Sequence, residues 1–132
     1  MKYTYAILVA MISLLPSFIF AQNKKAPVWP EMKTFHSYMA STFHPAEEGN
    51  FAPLKAKADS MQVVAEKWSK SAVPSNFKEK ETKEALGKLV TQCTFIKDAV
   101  AAGKPDDELK KLITDAHDIF HHIVGECRKA DE

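Results

Sequence analysis

Apolar residues recur three and four positions apart along most of this chain, in four separate runs. The first, from about Pro30 to Phe43, aligns Met32, Phe35, Met39 and Phe43. The second, about Phe51 to Ser69, aligns Leu54, Ala58, Met61, Ala65 and Trp68. The third, about Phe77 to Ala102, aligns Leu86, Leu89, Cys93, Ile96 and Val100. The fourth starts near Pro105 and aligns Leu109, Ile113, Ala116, Phe120, Val124 and Cys127. Spacing of this kind is one face of an α-helix. The only β-leaning pairs, Val63-Val64 and Leu89-Val90, sit inside that helical period.

The residues between the runs fit helix ends. Pro30 and Glu31 suit a first turn, where a missing N–H costs nothing and a negative charge meets the helix dipole. Pro45 and Gly49 are expected to stop the first segment. Asn50 is a candidate cap for the second, with Pro53 still inside its first turn. Pro74 falls in the next break, and Gly103 suits a C-terminal stop. Asp106, Asp107 and Glu108 open the fourth segment, and Arg128 and Lys129 follow it. Four helices with short connections most simply make an all-α, up-down-up-down four-helix bundle, here expected over residues 30–132.

The beginning of the chain follows a different pattern. Lys2 supplies a positive charge, and Ala6 to Phe20 is apolar apart from Ser13, Pro16 and Ser17. Ala21 then precedes the polar Gln22-Asn23-Lys24-Lys25. This is the pattern of a cleavable signal peptide. The apolar stretch is shorter than the ~20 residues of a spanning helix. Residues 1–21 are read as the signal, 22–29 as a polar lead-in, and the product as periplasmic or secreted, with no membrane span in the mature protein.

Cleavage after Ala21 leaves about 111 of the 132 residues, enough for one domain with a real core. It also removes one of 18 basic side chains, which balances the remainder against 17 acidic ones. A nucleic-acid binder would carry a basic surplus, so that class of partner is not expected. The chain has two cysteines, Cys93 and Cys127. In the antiparallel bundle Cys93 is level with residue 115, roughly 18 Å along the axis from Cys127. A disulfide needs Cα atoms within about 7 Å. The thiols are therefore expected to be free, or Cys127 to pair between chains.

The candidate chemistry lies in the histidines. His36 and His44 belong to the first segment or its end, and His117, His121 and His122 to the fourth. Those helices are neighbours in an up-down bundle. Counting along the helix rise puts His36 level with His117, and Met32 level with His121. His117 and His121 are four apart and share a face. A site of His36, His117 and His121, with Met32 or water, is thus expected between the two helices. Imidazole suits zinc, copper and nickel, and a thioether adds a preference for copper(I). Asp59, Asp115 or Asp118 could orient a ring through its free N–H. A second cluster, His44, Glu47 and Glu48, reads either as an outer metal site or as a turn whose acids support the next helix. His122 points about 100° away from His121 and reads as a solvent residue.

In length, compartment and helix order the chain resembles the periplasmic four-helix-bundle cytochromes. In the soluble b-type members, a Met near the start of the first helix and a His near the end of the fourth bind haem iron. Met32 and His121 (or His122) are the matching positions, so the resemblance implies haem b with Met32 and His121 as axial ligands. The c-prime relatives attach haem through a Cys-x-x-Cys-His motif, which this sequence lacks. The chain is also similar, in size and location, to small helical periplasmic proteins that buffer or sense metals. No phosphate loop, GxSxG, HExxH, CxxC or ExxH motif is present, so no enzyme is expected. Three readings follow: a transition-metal binder (copper, zinc or nickel), a haem-binding electron carrier, and a bundle without cofactor that serves a protein partner.

Overall fold

The structure is a computed structural model that describes residues 26–130. The signal peptide expected over residues 1–21, and the first half of the lead-in, lie outside the described residues. Four helices follow one another: α1 (Pro30–Glu47), α2 (Ala52–Lys70), α3 (Glu79–Ala101) and α4 (Asp106–Gly125). Each packs along its sequence neighbour, and α4 closes against α1. This is the all-α, up-down-up-down bundle that the periodicity predicts. The α1–α4 seam is the most sparsely packed of the four interfaces.

The expected stripes make the core. Phe35, Met39, Leu54, Met61, Trp68, Leu86, Leu89, Ile96, Leu109 and Ile113 are all essentially inaccessible to solvent. In α4 the buried residue is Ile123, not Val124, which only packs against the core from its edge. Steps of four, three and four from Ala116 through Phe120 and Ile123 to Cys127 keep to one face, whereas Val124 turns off it. Met32 and Val100 are likewise only partly buried. Among the described residues, no helix is long and apolar enough to cross a membrane.

Two helix ends depart from expectation, each for a clear reason. Pro45 does not stop α1. The helix runs through it to Glu47, because a proline in the last turn removes only one hydrogen bond. Gly49 makes the stop, at φ +84°. The amide of Gly49 donates to Ala46 O (3.1 Å) and that of Asn50 to Pro45 O (2.8 Å), a Schellman closure. Gly103 (φ +65°) closes α3 in the same way, with the Lys104 amide reaching Ala99 O at 3.0 Å. Asn50 supports the start of α2 from one position further out than expected: its Oδ1 accepts from the Ala52 amide, and Phe51 is the capping residue.

Helix α3 begins at Glu79, not Phe77, because the two residues before it pair with the end of the chain. The Lys78 amide donates to Cys127 O (2.8 Å) and the Lys129 amide to Asn76 O (2.9 Å). The Arg128 guanidinium lies 5.4 Å from the centre of the Phe77 ring. Trp29 plugs the same end of the bundle. It stacks edge-on against Trp68 and Phe77, and its indole N–H donates to Ser71 Oγ at 2.8 Å. Cys93 and Cys127 are both buried and no disulfide joins them, as the bundle geometry requires.

Candidate metal centre

Between α1 and α4 the sparse packing leaves a cleft of about 240 Å³. Its walls carry four of the five histidines: His36 and His44 from α1, His117 and His121 from α4. Its floor is Met39, Phe43 and Phe120. Both helices bury phenylalanines there, and a residue one step along a helix is rotated by about 100°, from the core to its shoulder. Each of three cleft histidines takes that shoulder position directly after a core phenylalanine: Phe35-His36, Phe43-His44 and Phe120-His121.

The closest approach is between His117 and His121. Their Nε2 atoms are 3.0 Å apart, so that one Nε2–H donates to the other ring's Nε2. The i, i+4 spacing brings the rings together on one face of α4. The His117 ring is fixed from behind. It lies flat on Phe43, with centroids 3.8 Å apart and planes within 11°. His36 lies flat on Phe120, centroids 5.4 Å apart and planes within 4°. His44 is exposed, and its Nδ1 meets Glu47 Oε2 at 3.3 Å.

The electrostatics favour a neutral ring at His117. Burial pushes its pKa below the ordinary imidazole value, and the neighbouring His121 adds to the effect; Asp118 and Glu47 oppose it, and His44 lowers it slightly. A neutral imidazole keeps a lone pair free for a metal ion. Asp118 Oδ1 faces His117 Nδ1 at 3.9 Å. Of the other carboxylates expected to orient a ring, Asp115 is paired with Lys111 instead, at 2.8 Å. His122 points away from the cleft, as expected, and its Nδ1 meets Glu126 Oε2 at 2.8 Å.

The expected set is thus partly assembled. His36, His117 and His121 line one cleft, but Met32 is not among its lining residues. His44, assigned above to a separate cluster, does line it, with Glu47 attached. Glu48 is exposed at the end of α1. The register explains the difference. Side chains lean toward the N-terminus of their own helix, so those that meet across antiparallel helices come from positions further along both. His117 therefore meets Phe43 rather than His36, and Phe120 meets His36. Among the described residues, no three His, Cys, Asp or Glu side chains converge as a ready-made cage for an ion. The phenylalanine and methionine floor was missed by the expected ligand set, although the repeated Phe-His dipeptides announce it. Set against protein-family models, curated proteins and solved structures, the chain matches none of them.

Proposed function

We propose that this protein binds a transition-metal ion in the α1–α4 cleft and serves outside the cytoplasm to buffer, sense or carry it. His117 and His121 are the primary ligands. His36 or His44, or water, completes the coordination. The observation that carries the reading is the 3.0 Å separation of the two Nε2 atoms. Two nitrogens that share one ion at bonds of about 2.0–2.1 Å stand about that far apart.

Other features support the same reading. Burial and then His121 lower the His117 pKa, which favours the neutral ring that a metal ion needs. The site is half open, so an ion can enter and leave without unfolding the bundle. A cleft of about 240 Å³ is small for a macrocycle, and Met32 lies outside its lining, so a small ion is favoured over haem b. We propose no catalytic role.

The test is an absorbance spectrum and elemental analysis of the protein purified from its native compartment without chelator, followed by titration with copper, zinc and nickel. Stoichiometric metal that is lost in His117→Ala supports the reading. A strong Soret band would replace it with haem. Neither metal nor haem, with no thermal shift on adding either, would leave a bundle that serves a protein partner.

A further inference from the structure

The spacing of the two imidazoles says more than that an ion fits. With metal–nitrogen bonds of about 2.0–2.1 Å, donors at a right angle stand roughly 2.8–3.0 Å apart. At the tetrahedral angle they stand roughly 3.3–3.4 Å apart, and in a linear pair about 4 Å. The 3.0 Å hydrogen bond that joins the ion-free rings sets the two nitrogens at the spacing of the right angle. Tetragonal nitrogen sites select copper(II) or nickel(II), whereas tetrahedral sites select zinc. Resting on the metal-binding reading above, we infer that the His117–His121 pair selects a divalent cation of tetragonal preference, with copper(II) bound tightest, and does not retain copper(I).

Two more features point the same way. The His117 ring cannot swing outward to widen the angle without leaving Phe43, on which it lies at 3.8 Å. Among the described residues no third side chain converges with the pair, so the remaining positions would fall to water or to His36 or His44 from the facing helix. Structural zinc sites are closed by four protein ligands, whereas a site with open positions exchanges what it holds. The ion-free pair is already set at chelating distance by its own hydrogen bond. Binding requires only that the bridging Nε2 proton leave and that ring's Nδ1 take one up. For His117 an Nδ1–H would face Asp118 Oδ1, the kind of outer carboxylate that orients a ligand ring.

The experiment titrates the full chain with copper(II) and reads electron paramagnetic resonance, with zinc(II) as competitor. The same sample is then reduced with ascorbate in the presence of a copper(I) chelator. We expect one copper(II) with an axial spectrum and two imidazole nitrogens, undisturbed by equimolar zinc(II), and release of the metal on reduction. His121→Ala, an exposed position, should weaken copper(II) binding by more than about 100-fold, beyond the effect of losing an outer partner, while its circular dichroism is unchanged. Displacement of copper(II) by equimolar zinc(II), or retention of copper(I) against the chelator, would overturn the tetragonal assignment and leave the metal site standing. Failure of all these ions to bind would overturn both.

Discussion

The ring of His117 lies on the ring of Phe43 at 3.8 Å, nearly parallel, so that a titratable group of α4 is held by a core side chain of α1. The seam between those helices is the sparsest in the bundle, and this stack is one of the contacts that bridge it. Burial of the ring there disfavours its charged form. The consequence is a dependence of stability on pH with a definite sign.

The pKa of His117 in the folded chain lies below its ordinary value of 6.5, because burial and then His121 oppose protonation. As pH falls through about 6.5, the unfolded chain takes up this proton before the folded chain does, and the folded state loses stability until its own pKa is passed. Above about pH 7 the contribution is constant. Urea midpoints measured at about pH 7.5 and about pH 5.5 should therefore fall, and His117→Phe should reduce the fall. An equal fall in that variant would place the effect on other groups.

Metal affinity should separate the cleft residues from their neighbours. Met32→Leu leaves affinity unchanged, since Met32 is not part of the cleft lining. His44→Ala weakens binding by about tenfold, the scale of an outer partner. His117→Ala abolishes it. Isothermal titration of the three variants checks the order, and a strong loss in Met32→Leu would restore the methionine ligand.

Trp29, outside every helix, is predicted to be among the most costly residues to truncate. It is 2% exposed, joins two aromatic rings and donates a hydrogen bond to Ser71. Trp29→Ala should destabilise by about 3–5 kcal/mol in urea unfolding. Its neighbour Val28 is 58% exposed. Val28→Ala should therefore stay within about 0.5 kcal/mol, which makes it the control.

The two thiols should be silent in the native protein. Burial pushes Cys93 up to about 12 and raises Cys127 as well. The thiolate is the reactive form, so a thiol reagent at neutral pH should modify neither until the chain unfolds, and then both. Rapid native labelling of Cys127 would indicate that the end of the chain opens on its own.

The parts of this architecture that depend on local chemistry were legible from the residues. The spacing from Leu54 to Trp68 and the glycines at 49 and 103 specify helices and stops through their own backbone preferences. The parts that depend on distant partners were not. Nothing near Phe77 announces that it leaves the helix to pair with Arg128, some fifty positions on. The lean of side chains displaced the register between α1 and α4, which moved Met32 out of the histidine set and brought His44 in. The close approach of His117 and His121 was itself legible, since the two lie on one helix and need no tertiary information to meet.

One end of the bundle is sealed by strands of backbone from its two extremities: Trp29 ahead of α1, and residues Cys127 to Lys129 behind α4. A ribosome delivers those last residues only after all four helices have been made. Until they arrive, the Lys78 amide and the Asn76 carbonyl lack the partners they have in the finished fold, and Phe77 lacks the Arg128 side of its cover. The hydrophobic interior thus closes like a purse, drawn shut by a stretch of chain that emerges after the helices, and completion of the fold waits for the whole bundle to be present.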